Sequence, residues 1–397
     1  MENAALQKEK LTGTIDQLKE RLVSLSTFIY RNPELGFTEV KASKALTDFL
    51  KENGFEVELG YAGLPTAFRA VYKHGEGGPT IGLLCEYDAL KNLGHGCGHH
   101  LQGPAIVGAA LAIKKDVQDY PYTLEVIGTP GEECPNGGKN IMLENGAFKE
   151  LDIALMMHAS DTTTTDVRSL AMVQYRVTYH GVSAHAAIAP EKGRNALDGV
   201  LMAFNGMNYL RGHVKEDVRM SGVIENGGRV TNVIPDTATA AFEARSFDAV
   251  YLDDVVERLL NVFKGAALLT ATTVDIEKIG GCRSKVPVLT LNDVLMNNAK
   301  LVKAPCMAPP RLKTGSTDFA TVMFNVPGSC IRSAFIAKGN SAHSKAWLDQ
   351  GLKEEAWNAL VVAAKVLALS VLDVVSSPAL LQKIKDEFAA EKAKLGK

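Results

Sequence analysis

The chain has 397 residues, 46% of them hydrophobic and 22% charged, with a formal net charge of −2. That length and composition support a globular protein of two domains, and the balanced charge without a basic run argues against a nucleic-acid partner. The charged N-terminal stretch lacks the apolar segment of a signal peptide, no run of 18 apolar residues suggests a membrane span, and the six cysteines read as reduced thiols of a cytoplasmic protein.

In chain order, Thr14 is placed as the cap of a first helix carrying Ile15, Leu18, Leu22, Leu25 and Phe28 at helical spacing. A second helix covers about Glu39 to Asn53. Short strands are expected at Phe55–Leu59, Ala67–Tyr72 and Thr80–Glu86, then a helix at Leu101–Lys115. Tyr122–Thr129 reads as a buried strand, Lys139–Asn145 as a helix, and Ile153–His158 as a strand ending in a histidine. This alternation predicts a layered α/β domain with much of its sheet parallel. The run DTTTTD at 161–166 is polar, β-branched and poor in core residues, which suits a linker or domain edge. After it, strand Ala171–Tyr179, helix Asn195–Leu210, strands Arg219–Glu225 and Thr237–Ser246, helix Ala249–Lys264 and strand Thr272–Lys278 follow a split β-α-β-β-α-β order. The expected division is therefore 1–167 and 285–397 for one domain, with 168–284 inserted. A strand at Ile331–Ala337, a long helix at Leu352–Val374 and an exposed, charged tail helix complete the chain.

Three strand ends and one glycine-rich segment hold the residues with chemistry. In GHGCGHHLQG, residues 94–103, Cys97 and His99 could both face an ion from one turn. Alone, the pair is more simply a turn whose histidines hydrogen-bond, and His95 and His100 are open. GTPGEECPNGG presents Glu132 and Glu133 directly after an apolar strand; such a pair is either a solvated acidic turn or is compensated by a cation. His158 closes a third strand, and His343 lies in GNSAHSK beyond a fourth. Together Cys97, His99, Glu133, His158 and His343 make roughly the donor count of a two-metal site.

The order GHGCGH, GEE, a strand ending in MH, GVSAHA in an inserted unit and SAH near the C-terminus resembles the clan MH metallopeptidases and amidohydrolases of the aminoacylase and carboxypeptidase G type. LPTAFRA at 64–70 and CEYDAL at 85–90 bring it nearest to the branch of aminoacylase-1-like-2 and p-aminobenzoyl-glutamate hydrolase, beside the hippurate and auxin-conjugate amidohydrolases. The resemblance implies a mixed-sheet α/β/α catalytic domain with an inserted ferredoxin-like α+β domain that serves as lid and dimer interface. It implies Cys97, His99, Glu133, His158 and His343 as ligands of two divalent ions, zinc first and manganese as the alternative. It implies Glu132 as general base, Asp88 as a residue orienting a ligand, and His185 as a catalytic group near the reaction centre. Asn232, Arg245 and Gly315, with Asp318 beside Gly315, match positions around the substrate; Arg245 could equally pair with an acid on its own strand face. One departure stands out: the family usually has aspartate or asparagine where this chain has His100.

The expected activity is hydrolysis of the amide bond of an N-acyl amino acid, an amino-acid conjugate or a dipeptide by a homodimer. Two alternatives remain open: a non-catalytic or partner-dependent subunit on the same fold, and a hydrolase using Cys97 as nucleophile with His99 or His158 as its base.

Overall fold

A computed structural model describes residues 2–396. They divide into two compact units: one runs up to Arg168 and resumes over Lys285–Ala393, and the other spans Ser169–Ser284 and takes in the residues from Lys394. The class is α/β.

In the first unit, numbering along the chain, six strands form one mixed sheet: β1 (Glu56–Leu59), β2 (Phe68–His74), β3 (Thr80–Cys85), β4 (Tyr122–Gly128), β5 (Ile153–Ser160) and β10 (Gly328–Ala334). Their spatial order is β1-β2-β4-β3-β5-β10. The four strands from β4 to β10 pair in parallel, while β1 and β2 join antiparallel at one edge. Side chains alternate across a strand, so each buried strand feeds two cores. Ile81, Leu83 and Cys85 of β3 and Ile153, Leu155 and Met157 of β5 join the larger core. Its helices include α1 (Glu2–Arg31), α2 (Val40–Glu52), α3 (Gln102–Asp116), α7 (Leu289–Leu301) and α10 (Glu354–Val375). Leu84, Ala154 and Met156 face a smaller core with α4 (Gly138–Glu144) and α8 (Phe319–Asn325). Two further helices, α9 (Lys345–Gln350) and α11 (Pro378–Lys392), complete this unit; Ile384 of α11 is fully buried, and Leu380, Leu381 and Phe388 pack against the larger core. By length and apolarity α10 could cross a bilayer, yet 78% of its most apolar window is buried, which makes it a core helix.

The second unit runs β6 (Ala171–His180), α5 (Ala196–Arg211), β7 (Arg219–Asn226), β8 (Thr237–Ser246), α6 (Ala249–Thr270) and β9 (Thr273–Cys282). Its sheet has the order β7-β8-β6-β9, antiparallel throughout, which is ferredoxin-like. Asn195 and Asp248 cap the two helices by accepting from backbone N–H groups at Leu197 and at Val250 and Tyr251. Val177 and Tyr179 of β6 and Phe242 of β8 are buried, as are Val200 and Met207 of α5 and Leu259 and Phe263 of α6.

Three local expectations are corrected. Thr14 is no cap: it lies inside α1, whose first turns are built from strong helix formers such as Ala5, Leu6, Gln7 and Glu9. His158 does not end its strand, since β5 continues to Ser160. The DTTTTD run does lie at a domain edge, just before the division at Arg168 and Ser169, but it is largely buried rather than a linker. Thr163, Thr164 and Thr165 are fully buried, and Thr163 and Thr164 donate to the carbonyls of Pro305 and Pro309. Asp166 ends the run between Arg311 and Arg332, whose Nε atoms lie 2.7 and 2.8 Å from its carboxylate oxygens.

Candidate metal centre

Parallel strands present the loops at their carboxyl ends side by side, and the site forms there. From β3 the chain leads to Glu86 and Asp88, from β4 to Glu132 and Glu133, within β5 to His158, and beyond β10 to the loop with His343. The GHGCGH segment is drawn in by glycine geometry. Gly98 has φ +87°, and a Cβ there would sit 2.5 Å from the Ala159 Cβ, so only glycine lets this turn lie against β5. The backbone N–H of His343 donates to the Gly96 carbonyl at 3.0 Å, which ties the last donor to the first.

Five expected ligands converge. Donor atoms of Cys97, His99 and His158 lie within 4.8 Å of one another, and so do those of Cys97, Glu133 and His343. Cys97 belongs to both groups. Its Sγ is 3.6 Å from His158 Nε2, while His158 Nδ1 donates to the Ala159 carbonyl and leaves Nε2 as the free donor atom. Asp88 orients two of the others: its Oδ1 accepts from His99 Nδ1 at 3.1 Å, and its Oδ2 accepts from the Glu133 backbone N–H at 2.9 Å.

Whether these residues suit a cation can be judged from what they lack. His99 Nε2 and Glu133 Oε1 are buried without a hydrogen-bond partner, although Glu86 Oε2 is 3.3 Å from the first and His343 Nε2 is 3.2 Å from the second. Buried polar atoms are rarely left so. Carboxylates of Glu86, Asp88, Glu132, Glu133 and Asp318 crowd the same region. Thiol, imidazole and carboxylate donors, with more carboxylates than the one buried lysine beside them can balance, fit a divalent cation.

Glu132 lies next to this set, its carboxylate 4.0 Å from His99 Nε2. Burial, followed by the charges of Glu86 and Asp318, pushes its carboxyl well above the usual range. Behind it sits a network that the sequence did not reveal. Lys139, fully buried, donates from Nζ to Glu86 Oε1 and to Asp318 Oδ1, each at 2.6 Å. Gln102 Nε2 donates to the other Glu86 oxygen at 2.7 Å. A carboxylate directly after a buried strand was the available signal for Glu86. Nothing in the sequence pairs it with Lys139.

His100 is not brought to the cluster. Its Nε2 donates to the Gly351 carbonyl at 3.0 Å, and its ring meets Tyr30 edge-on at 4.9 Å. Burial lowers its pKa to about 4, so it is a neutral packing residue at neutral pH. His95 likewise donates from Nε2, to the Ile29 carbonyl at 3.1 Å. Cys97, whose Sγ belongs to both donor groups, stands as a candidate ligand rather than a nucleophile.

In the second unit, His185 and Asn232 lie on two exposed segments that pair: the Ala186 N–H donates to the Asn232 carbonyl at 3.0 Å, and His185 bridges to Val233. Arg245 Nη2 donates to Glu243 Oε2 at 2.9 Å on its own strand. Gly315, in the first unit, is exposed on a loop with open space around its Cα.

A mixed sheet with metal-type donors at its strand ends suits a metal-dependent hydrolase. The chain belongs to peptidase family M20/M25/M40, whose family model matches residues 82–372. It is 35% identical over 405 residues to the Xaa-Arg dipeptidase of Mus musculus, covering 96% of this chain and 92% of the relative. It is 28% identical to one of the subunits of the p-aminobenzoyl-glutamate hydrolase of Escherichia coli, covering 95% of this chain and 94% of the relative. Its fold is shared with a dinuclear metal-binding peptidase of the M20 family from Bacillus subtilis, at TM-score 0.68 and 19% identity over 91% of this chain and 99% of that one.

Proposed function

We propose that the chain hydrolyses the amide bond of a dipeptide, an N-acyl amino acid or an amino-acid conjugate, with two divalent ions held by Cys97, His99, His158, Glu133 and His343 and with Glu132 as general base. The observation that carries this reading is Cys97 at the junction of two donor groups, with the Glu132 carboxylate beside them, 4.0 Å from His99 Nε2. Two divalent ions held by these residues would polarise the substrate carbonyl and lower the pKa of water. Glu132 accepts a proton from the attacking water on its carboxylate and delivers it to the departing nitrogen. Asp88 holds the Nδ1–H of His99 and thereby presents Nε2 as the donor. His185 is assigned to the developing oxyanion, Asn232 and Arg245 to the substrate, and Gly315 to the pocket wall; the paired exposed segments of His185 and Asn232 support a shared role for those two.

A dipeptide with a basic residue is the first substrate to test, given the 35% identity to an Xaa-Arg dipeptidase. Zinc is the first metal and manganese the second. A homodimer is supported by the free edge of β7, where Val223 and Ile224 are exposed, and by Leu201 and Tyr209 exposed on α5. The free thiols of all six cysteines support a cytoplasmic setting.

The test is a hydrolysis screen of dipeptides and acyl-amino acids with zinc or manganese. Turnover should appear on at least one class, vanish with a chelator and return with added metal. Turnover that survives exhaustive chelation would sink the proposal.

A further inference from the structure

Glu39 is fully buried, and no part of the reaction above uses it. It stands at the N-cap of α2, yet its side chain makes no cap there. Glu34 supplies that function: its carboxylate accepts from the backbone N–H groups of Lys41 and Ala42 at 2.9 to 3.0 Å. Glu39 is thereby free to turn inward. Its Oε1 accepts from the Gly131 N–H at 2.8 Å, and its Oε2 accepts from the Thr66 hydroxyl at 2.9 Å.

Gly131 is the residue before Glu132. It has φ +71°, and its carbonyl accepts from both Cys134 N–H and Gly138 N–H at 3.3 Å, so the acidic loop closes on it. The Phe37 ring covers it, with a ring carbon 2.7 Å from where a Cβ would sit. The residue after Glu132 is held as well, because the Glu133 N–H donates to Asp88 Oδ2 at 2.9 Å. The peptide on either side of Glu132 thus rests on a carboxylate.

We propose that Glu39 is a positioning residue for Glu132: its carboxylate on Gly131 N–H and that of Asp88 on Glu133 N–H bracket the general base and set where its carboxyl stands. The inference rests on the general-base reading of Glu132. Burial, the largest cause, raises the Glu39 pKa to about 7, and its two acceptors are spent on the Gly131 N–H and the Thr66 hydroxyl.

The reach of the group, rather than its charge, is the testable property. Glu39→Gln keeps an oxygen for Gly131 and an amide for the Thr66 hydroxyl. Glu39→Asp keeps the charge and draws the carboxyl back by about 1.5 Å. Both variants, with Glu39→Ala, are assayed as full-length, metal-loaded protein for kcat, KM and bound metal on a substrate the unmodified protein cleaves. A displaced base costs about 100-fold in rate, so Glu39→Asp and Glu39→Ala are expected to lose about that much in kcat with KM and metal content within about threefold. Glu39→Gln is expected to stay within about threefold in kcat. If Glu39→Ala does not fold, the Asp and Gln pair decides alone. An Asp variant as active as the unmodified protein, or a Gln variant as damaged as Asp, overturns the proposal. Failure of the general-base reading shows separately, as undiminished turnover in Glu132→Gln.

Discussion

Nε2 of His100 donates to the Gly351 carbonyl, while Nε2 of His99, one residue earlier, is buried with no hydrogen-bond partner at the centre of the donor set. The same side chain is a candidate ligand in one position and a packing group in the next, because successive residues of the short turn His99–Leu101 point different ways. Asp166 shows the same dependence on surroundings. Burial alone would raise its pKa, but the guanidiniums of Arg332 and Arg311 hold its carboxyl at about 2, below the ordinary 3.8. A depressed carboxyl stabilises the fold wherever the unfolded chain is also ionised, and that contribution disappears as pH falls from about 4 toward 2. The shift corresponds to roughly 2 kcal/mol. Asp166→Asn leaves Arg332 buried with its partner weakened, so a loss of about 3 to 5 kcal/mol is expected at pH 7. Urea unfolding of both proteins across this range should show the gap narrowing by roughly 2 kcal/mol below pH 4. A gap independent of pH would show that the carboxylate charge does not stabilise this segment.

At the scale of elements, much was legible because periodicity reports it. The strands β3, β4 and β5 and the split order of the second unit follow from apolar runs and their spacing. The start of α1 was not legible, since it depends on helix propensity upstream of Thr14 rather than on a cap. Nor was the burial of Thr162 to Thr165, because hydroxyls become core residues only when distant carbonyls receive them, as those of Pro305 and Pro309 do. The five clustered donors were legible through a resemblance in their order. Glu86, Lys139 and Glu39 were missed for one reason: an isolated charge in a sequence looks like surface until its partner, tens of residues away, folds against it. The β7 edge leads to a prediction at this scale. Val223 is 60% exposed beside an unpaired strand edge, a surface that a second copy can cover through a two-fold contact. Light scattering should find a dimer, and Val223→Lys with Ile224→Asp should give a folded monomer. A monomeric unmodified protein would remove this edge as an interface.

For the molecule as a whole, the first unit alone carries the five candidate ligands and the proposed general base, while His185, Asn232 and Arg245 belong to the second. Metal binding and proton transfer should therefore be separable from substrate selection by mutation. The separation is sharpest at Glu132, which contributes a proton acceptor but is not needed as a ligand in this assignment. The most direct measurement is the metal content and turnover of Glu132→Gln, purified alongside the unmodified protein. The account expects two equivalents of divalent metal in both and turnover reduced by at least about 100-fold in the variant. A variant that keeps its activity, or that loses both ions along with it, would contradict the assignment of Glu132 as the general base.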